Sequence, residues 1–471
     1  MVTLQTRSRF RTTALAALTF ASLLVIIISF SVLSRNPQII PSSGSFPNPH
    51  NYHHTIKPHQ KISSLSRINS PHLISKLRAY ERHHKRCQPH SQSFNQTIHQ
   101  LLTNKNNSNS NPAAAAACNY IVYTPVNGLG NRMLSLASAF LYALLTNRTL
   151  LVNFGPDMTD LFREPFPNST WLLPKQDSTR VFDDATTLHF RDAHNYIHYL
   201  LYLPYRCRNY EKFFFRDENQ KRIESVPWLI LHSDQYFLPY LFLMPCFRPE
   251  LDRLFPNRET VFHQLGRYLF SPSHQAWGFI STFYETFLSK ADERIGIQIR
   301  VFNDSRGKST PLVMKHVLSC IRKQGILNRT GNRAVLVASL SGDFYKELKV
   351  NAAGVGVYQA SQEESQRLGD ASHNMKAWVD MYLLSMCDVL LTSAWSTFGY
   401  VAHGLGGVKP WILQIPDIGG AGDGGEAECR RAVSAEPCFH NPPDFDCPEG
   451  FVSPVVRCED VGKGMKLVNQ H

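Results

Sequence analysis

Residues 388–407, DVLLTSAWSTFGYVAHGLGG, predict how the second half of the chain folds. The apolar run 389–392 is typical of a buried strand, residues 393–397 form a polar elbow, and a helix is expected to begin near Ser396. Such an elbow leaves backbone N–H groups at the positive end of the helix, which suits an anion such as a diphosphate. The same hydroxyls are also ordinary helix caps. The elbow residues of interest are Ser393, Ser396, Thr397 and Gly399.

A similar pattern occurs near residue 120. IVYTPV (121–126) predicts a buried strand, NGLGNR (127–132) a glycine turn, MLSLASAFLYALLT (133–146) an apolar helix and LLVNFG (150–155) the next strand. This is a βαβ unit whose turn lies at the carboxyl end of its first strand. Two interpretations of the turn stay open: close approach of the backbone to a ligand, or an ordinary tight turn. Its candidate residues are Gly128, Gly130, Asn131 and Arg132.

An apolar run that ends in a cation, RIGIQIRVF (294–302), predicts a strand that delivers Arg300 to a cleft. Gln298 shares the face of Arg300, because strand side chains alternate. A guanidinium in this place can clamp a diphosphate through two hydrogen bonds and neutralise the charge that a leaving nucleoside diphosphate gains. The alternative is a surface arginine at a strand end.

Further strands are expected at RAVLVASL (333–340) and DVLLTS (388–393), with the helix YLLSMC (382–387) between them. Together with the first unit they predict an α/β protein of two lobes that face a cleft, with a boundary near residues 270–290. The N-terminal lobe is expected to span 118–280 and the C-terminal lobe 281–471.

Three acidic or imidazole side chains are candidate site residues. Asp234 ends an apolar run in PWLILHSDQYFLPYLF (227–242), where a carboxylate either orients or deprotonates an acceptor hydroxyl, or caps the next helix. His373 and Asp380 lie in SHNMKAWVDMYLL (372–384). Asp380 is placed either to hydrogen-bond a ribose or base edge, or to face solvent.

No metal site is predicted. The DxD motif Asp444-Phe445-Asp446 is expected to lie in a disulfide-bounded loop beside Cys447. The cysteines contain no CxxC pair and are irregularly spaced, which disfavours zinc. Disulfides in an oxidising compartment are expected instead for the cysteines that crowd the C-terminus. These are Cys429, Cys438, Cys447 and Cys458.

The N-terminal residues predict a membrane anchor. Residues 12–34 carry no charge and are long enough to span a bilayer, whereas the apolar core of a cleaved signal peptide is usually about 7–15 residues. Arg7, Arg9 and Arg11 precede the span, so the positive-inside rule places residues 1–11 in the cytosol and the rest of the chain in a lumen. Signal-peptide cleavage is the alternative.

Residues 35–117 are predicted to form a luminal stem. They are rich in Ser, Asn, His and Pro, and such composition buries too little apolar surface to fold alone, although 64–87 can hold one short amphipathic helix. The histidines of this segment are expected to be solvated. Six N-x-S/T sequons agree with a luminal body. They begin at Asn95, Asn106, Asn147, Asn168, Asn303 and Asn328.

Charge limits the possible partners. The 471 residues carry a formal net charge of +12, much of it before residue 90, which favours anionic partners. No nucleic-acid-binding module is recognisable, so nucleic acid is not predicted. The hydrophobic content of 43% is ordinary for a protein with a well-formed core.

Several segments together resemble the plant-type fucosyltransferase family that includes xyloglucan α-1,2-fucosyltransferases. They are NGLGNRMLSLASAFLYALLTNRTLL, DLFREPFPNSTWLLP, SDQYFLP, GIQIRVF, MYLLSMCDVLLTSAWSTFGYVAHGLGGVKPWIL and EPCFHNPPDFDC. The resemblance implies a GT-B-like fold of two Rossmann-like lobes that face a cleft. The same resemblance implies that the protein is located in the Golgi membrane. It also implies a galactosylated cell-wall glycan such as xyloglucan as acceptor, GDP-fucose as donor, inversion at the anomeric carbon and no metal or other cofactor. Complexes with other Golgi enzymes are a further expectation.

The resemblance also implies roles for individual residues. Arg300 would hold the GDP diphosphate, and Asp234 would lie near the acceptor. The donor site would be lined by Ser393, Ser396, Thr397 and Phe398, with Gly128, Gly130, Asn131, Arg132, Gln298, His373, Asp380 and Gly399 completing it.

Two departures from the family pattern keep other functions open. The family has cysteine where this chain has Arg163 and Phe215, which is what the loss of one disulfide would look like. A catalytically inactive scaffold on the same fold is therefore one alternative. Transfer of fucose to arabinose on arabinogalactan glycoproteins is another.

Overall fold

The computed structural model describes residues 70–105, 118–175, 190–192, 196–201, 214–301, 310–327, 330–352, 354–414, 429–443 and 454–469. No helix among them combines the length and apolar character that crossing a bilayer requires. The predicted tail and anchor lie outside these residues. So do Asn106, Asn303, Asn328, Cys447 and the motif 444–446.

The described strands form a five-stranded, a six-stranded and a two-stranded sheet. The strands are β1 Tyr120–Pro125, β2 Thr149–Val152, β3 Phe190–Asp192, β4 Tyr196–Leu201, β5 Trp228–Ser233, β6 Glu293–Ile299, β7 Arg333–Ser339, β8 Gly356–Tyr358, β9 Val389–Ser393, β10 Trp411–Leu413, β11 Cys429–Arg431, β12 Val455–Arg457 and β13 Met465–Leu467.

The two larger sheets are mainly parallel. The five-stranded sheet has the order β2-β1-β5-β4-β3, and the six-stranded sheet has the order β11-β10-β9-β6-β7-β8. Among the described pairs in these two sheets, only β3–β4 and β10–β11 are antiparallel. Mainly parallel sheets with helical crossovers confirm the predicted α/β class. The lobe boundary at residue 280 stays a prediction.

The helices connect and cover these strands. The α-helices are α1 Pro71–Cys87, α2 Gln92–Lys105, α3 Leu129–Thr146, α4 Asp217–Ser225, α5 Leu238–Leu241, α6 Arg248–Leu254, α7 Val261–Leu269, α8 His274–Phe283, α9 Thr310–Lys323, α10 Gly342–Asn351, α11 Ala371–Leu384 and α12 Thr397–Gly406.

Local signals set most element ends. The strand predicted at 389–392 is β9, and Ser396 caps α12 by accepting a hydrogen bond from the Gly399 N–H. The helix predicted at 133–146 begins earlier, at Leu129, because Gly128 takes the N-cap position in an extended conformation. The helix predicted at 382–387 is the end of the longer α11, whose start is capped by Asp370.

The stem prediction is wrong for residues 70–105. Leu73, Leu77, Tyr80 and His84 repeat at helical spacing along α1, and all four are buried. The Tyr80 hydroxyl accepts from the Leu150 N–H at 2.9 Å and donates to the Arg148 carbonyl at 3.0 Å. The predicted short helix therefore exists, but it is part of the folded body.

The histidines of α1 explain why composition misled the prediction. His84 is fully buried, and its ring nitrogens contact the Leu150 carbonyl at 3.0 Å and the Ser169 hydroxyl at 2.6 Å. Burial lowers the pKa of His84 to about 4, so the ring is neutral and serves as a core residue. The expectation that the histidines here are solvated is wrong for His83 and His84.

Three disulfides join described cysteines: Cys87–Cys118, Cys320–Cys429 and Cys438–Cys458. Cys429, Cys438 and Cys458 form disulfides as predicted, but Cys429 pairs with a cysteine 109 residues earlier. The Cys87–Cys118 bond fastens α1 to the start of β1.

The C-terminal segment, residues 429–443 and 454–469, contacts residues from the first half of the chain. The buried Glu436 carboxylate accepts from the Tyr236 hydroxyl at 2.6 Å and from the Phe262 N–H at 2.8 Å. Burial raises the pKa of Glu436 to about 7. The segment therefore packs against α7 and the loop that follows β5.

Candidate functional site

A cavity of about 800 Å³ lies at the carboxyl ends of β1, β6, β7 and β9. This edge is where ligands bind in open α/β sheets. The six-stranded sheet contributes strand residues to its wall, and the five-stranded sheet contributes the turn that follows β1. Among the predicted site residues, those that line it are Gly128, Gly130, Asn131, Gln298, Arg300, His373, Asp380, Ser396, Thr397 and Phe398.

Arg300 follows β6 directly and reaches this cavity, as predicted. Its backbone N–H donates to the Ser393 hydroxyl at 2.9 Å, and its guanidinium donates to the Gln366 side chain at 2.8 Å. Burial lowers the pKa of Arg300. An arginine nevertheless stays charged at physiological pH, so a fixed positive group faces the cavity.

The elbow after β9 brings the N-terminus of α12 to the same cavity. Ser396, Thr397 and Phe398 line it. Ser393 is not a lining residue, and its backbone N–H donates to the side-chain oxygen of Gln298 at 3.1 Å. Gly399 is required by packing, since a Cβ there would come within 2.9 Å of the Gln298 side chain. The predicted convergence of Arg300 and the elbow is present in the structure.

Gly130 has a role that neither sequence interpretation included. A Cβ at this position would come within 2.8 Å of the Thr397 carbonyl carbon, so the first turn of α3 touches the first turn of α12. Beside this contact the Thr397 hydroxyl donates to the Asn131 side chain at 2.5 Å. The glycine turn after β1 therefore contacts the elbow after β9 at the cavity wall.

Arg132 lies outside the cavity lining. Its guanidinium donates to Asp157 at 2.6 Å and to the Asn127 carbonyl at 2.7 Å. Asp157 also accepts from the Asn374 amide of α11 at 3.0 Å. Arg132 therefore fixes the position of the glycine turn relative to α11, and no direct ligand contact follows from its placement.

Asp380 is buried, so the solvent-facing alternative is wrong. Its Oδ2 accepts from the Ser361 hydroxyl at 2.5 Å, whereas its Oδ1 accepts no hydrogen bond from the described residues. Burial raises the pKa of Asp380 to about 7. A half-satisfied carboxylate in a cavity wall suits a ligand with N–H or O–H donors.

His373 lies two turns earlier on α11 and also lines the cavity. Its Nδ1 is 3.7 Å from the Glu363 carboxylate, and burial lowers the pKa of the ring. The imidazole is therefore neutral at pH 7 and available as a hydrogen-bonding group.

Asp234 is fully buried behind the glycine turn and is not among the cavity-lining residues. Its Oδ2 accepts from the Asn127 amide at 2.5 Å, and its Oδ1 accepts from the Gln235 amide at 2.8 Å. The helix-cap alternative is wrong, because α5 begins after Phe237 without a side-chain cap. Asp234 is connected to the cavity wall through Asn127, which is one of the lining residues.

Within the described residues, no group of three or more His, Cys, Asp or Glu side chains is arranged to hold a metal ion.

Comparison with known proteins gives concordant results. The family model for xyloglucan fucosyltransferase matches residues 56–200, 175–342 and 328–448. The chain belongs to the xyloglucan fucosyltransferase family. A galactoside 2-alpha-L-fucosyltransferase of Pisum sativum is 43% identical over 446 residues, which are 86% of this chain and 77% of the relative. One of Arabidopsis thaliana is 44% identical over 440 residues, with coverages of 85% and 77%.

A solved structure agrees. An Arabidopsis thaliana fucosyltransferase variant in complex with GDP has 42% sequence identity and a TM-score of 0.72, and the match covers 85% of this chain and 92% of that one. The predicted resemblance is thus confirmed, and membership of the xyloglucan fucosyltransferase family makes the chain a glycosyltransferase.

Sequence reasoning missed a charged cluster in this family member. The Glu363 carboxylate accepts from Lys376 and from Arg367, both at 2.6 Å, and all three line the cavity. Burial alone would raise the pKa of Glu363, but the hydrogen bonds from Lys376 and Arg367 outweigh it and lower the pKa. A usable signal was the helical spacing of His373, Lys376 and Asp380.

The two departures from the family pattern lie away from the cavity. Arg163 donates to the Pro272 carbonyl at 3.1 Å and the Ser271 hydroxyl at 3.1 Å. Phe215 packs against the rings of Phe237 and Tyr240. Each replacement thus has its own packing role, and neither residue lines the cavity.

Proposed function

We propose that the chain transfers L-fucose from GDP-fucose, with inversion, to a galactosyl residue of a plant cell-wall polysaccharide such as xyloglucan. The observation that carries the proposal is the convergence of Arg300 and the N-terminus of α12 on one cavity. The names of the two galactoside fucosyltransferase relatives and of the GDP-bound neighbour support it.

The cavity matches the chemistry of a nucleoside diphosphate. The guanidinium of Arg300 and the N–H groups that start α12 would bind the diphosphate. Lys376 and Arg367 are paired with Glu363, so the positive charge that faces the diphosphate is assigned to Arg300 and the helix N-terminus. The ionised carboxylate of Asp380 would accept the N1–H and the 2-amino group of guanine, which are two adjacent donors.

Inversion requires a single displacement. The acceptor hydroxyl oxygen forms a bond to the anomeric carbon from the side opposite the diphosphate, the bond from that carbon to the phosphate oxygen breaks, and the hydroxyl proton passes to a solvent water molecule. Negative charge grows on the GDP leaving group, so Arg300 and the α12 N-terminus stabilise the transition state. Asp234 assists at the acceptor side through Asn127, which its carboxylate holds at 2.5 Å.

We also propose that transfer needs no metal and no other cofactor. The negative charge that a metal ion would otherwise neutralise is met by Arg300 and the helix dipole. Transfer in the presence of EDTA, at the rate seen without it, is the expected result.

We propose a Golgi membrane location with a single type II anchor and a luminal catalytic body. The uncharged span 12–34, the exposed side chains of Asn95, Asn147 and Asn168, and the disulfides support it. Glycosidase sensitivity, together with protease protection of the body in sealed microsomes, tests the topology. Full digestion of the body in intact vesicles would contradict it.

The function is tested with the purified full-length chain and labelled GDP-fucose. A panel of galactosylated xyloglucan and arabinogalactan acceptors is offered with and without EDTA. Transfer to galactosylated xyloglucan, unaffected by EDTA, is expected. Transfer to the arabinogalactan alone would favour the arabinose acceptor, and GDP-fucose binding without transfer to any acceptor would favour the scaffold.

A further inference from the structure

Trp395 is a large aromatic side chain that the fold leaves half exposed at the edge of the cavity. Its exposed fraction is 51%, and it is one of the cavity-lining residues. Leu368, which is 63% exposed, also lines the cavity. An exposed apolar surface that continues into a ligand cavity is typical of a binding surface.

The ring is held in place although it is exposed. The backbone of Trp395 has φ +59°, a left-handed conformation that a bulky residue rarely adopts. Its N–H donates to the Asp460 carboxylate at 2.9 Å, and its indole N–H donates to the Asp460 carbonyl. The same carboxylate oxygen accepts from the Tyr400 hydroxyl at 2.6 Å.

The segment that provides Asp460 is itself fixed. Asp460 lies two residues after Cys458, which is disulfide-bonded to Cys438. His440, two residues after Cys438, contacts the Tyr400 hydroxyl at 3.2 Å through Nε2 and lines the cavity. The C-terminal segment therefore holds the indole of Trp395 rigidly at the cavity. Rigid aromatic groups bind ligands at a low entropy cost.

The strand order places Trp395 away from the nucleoside end of the site. Neighbouring strands run β9-β6-β7-β8, with Trp395 after β9, Arg300 after β6 and Ser361 after β8. Strands in a sheet are about 4.8 Å apart, so the ends of β9 and β8 are roughly 14 Å apart. If guanine lies at Asp380 and Ser361, and the diphosphate at Arg300, Trp395 lies on the side where donor sugar and acceptor meet.

We propose that Trp395 is an acceptor-binding residue whose indole face stacks on the pyranose ring of the acceptor's galactosyl unit. This inference rests on the proposed fucosyl transfer. One face of a galactopyranose presents C–H bonds with partial positive charge, which complement the negative face of an aromatic ring. His440 and Asn441 line the cavity and supply hydrogen-bonding groups for the sugar hydroxyls.

The test uses Trp395→Asn, Trp395→Phe and the control Trp277→Ala in the full-length chain. Asparagine tolerates the left-handed backbone, so the first variant removes the ring without adding strain. Trp277 is also exposed, at 39%, but does not line the cavity. Calorimetry measures the dissociation constants of GDP and, with GDP saturating, of a galactosylated xyloglucan oligosaccharide. The same oligosaccharide without galactose is the ligand control.

We expect Trp395→Asn to weaken binding of the galactosylated oligosaccharide roughly tenfold or more, with GDP binding changed less than about twofold. Trp395→Phe should weaken it less, and Trp277→Ala should change neither constant. Unchanged glycan binding by Trp395→Asn, with GDP binding retained, would overturn the inference while leaving the donor site intact. An equal loss of GDP and glycan binding would also overturn it, because the ring would then support the whole site and not the acceptor alone. Absence of GDP binding by the wild type would instead refute the proposed function.

Discussion

At the scale of single residues, the cavity combines a fixed cation with a carboxylate that titrates near neutral pH. Arg300 stays charged at any pH of interest, whereas burial raises the pKa of Asp380 from 3.8 to about 7. The two groups therefore contribute differently to binding a nucleoside diphosphate. Diphosphate binding through Arg300 should not depend on pH, and base binding through Asp380 should.

Replacement of Arg300 tests the diphosphate site. We expect Arg300→Ala to lower kcat for fucosyl transfer by about 10²- to 10³-fold, because charge on the leaving group loses its stabilisation. Arg300→Lys keeps the positive charge but cannot form the bidentate pair of hydrogen bonds, so a smaller decrease in kcat is expected. Arg294→Ala, at the opposite end of β6 and paired with Asp388 at 2.9 Å, is the control. The measurement is the initial rate of fucosyl transfer at saturating substrates. A wild-type rate for Arg300→Ala would contradict the assignment of Arg300 to the diphosphate site.

Asp380 predicts a pH dependence of binding. Guanine donors need the ionised carboxylate, so GDP affinity should rise as pH increases through about 7. Asp380→Asn should bind GDP roughly tenfold more weakly at pH 8 and lose this pH dependence. Calorimetry from pH 5.5 to 8.5 measures the dissociation constant of GDP for each protein. Inosine diphosphate, which lacks the 2-amino group, is the control ligand. GDP affinity of the wild type that does not vary with pH would refute the role.

The same residue affects the free energy of unfolding. Because the folded pKa is raised, the stability contributed by protonated Asp380 is complete below about pH 4 and is lost as pH rises through about 7. Ligand-free Asp380→Asn should therefore lose less stability than wild type between pH 5.5 and 8.5. Urea unfolding at both pH values measures this difference. Equal losses of unfolding free energy in the two proteins would contradict a buried Asp380 carboxylate with a raised pKa.

At the scale of elements, the cavity depends on the contact between the first turns of α3 and α12. A Cβ on Gly130 would press on the Thr397 and Phe398 backbone at 2.8–2.9 Å, and backbone cannot move aside as a flexible side chain can. Both helices carry site residues at their N-termini. A small change at their contact should therefore alter stability and donor binding together.

Gly130→Ala should lower the free energy of unfolding by about 1–3 kcal/mol through overpacking, and should weaken GDP binding. The matched control is Gly278→Ala, a helical glycine of α8 with no atom within 4 Å of the added Cβ. That change should raise stability by about 0.5–1 kcal/mol. Urea unfolding compares the two variants. Equal stabilisation by both would show that α3 and α12 are not in close contact.

At the scale of the whole molecule, segments distant in sequence complete the folded body. Helix α1 precedes the first strand yet contacts β2, where the Tyr80 hydroxyl accepts from the Leu150 N–H. The C-terminal segment contacts α7, where Glu436 accepts from the Phe262 N–H. The folded body thus includes residues 70–105, which composition assigned to a stem.

The disulfide at this junction should contribute to stability. Replacement of Cys87 and Cys118 by Ser together should lower the free energy of unfolding by about 2–4 kcal/mol, because a loop closed over 31 residues is released. Cys246→Ser, which changes an exposed cysteine outside any disulfide, should change it by less than about 0.5 kcal/mol. Thermal unfolding under non-reducing conditions measures both. A stem that does not fold would predict no effect from either change.

Local sequence patterns were enough to predict the strand–elbow–helix of residues 388–407, the βαβ unit near residue 120 and the position of Arg300 at a strand end. These follow from apolar runs, caps and alternation, which depend on residues a few positions apart. The folded structure was needed to show that Gly130 touches Thr397, that Asp380 is buried beside Ser361, that α1 belongs to the body and that Cys429 pairs with Cys320. Burial and partner choice arise from contacts between residues far apart in the chain, and no local pattern encodes them.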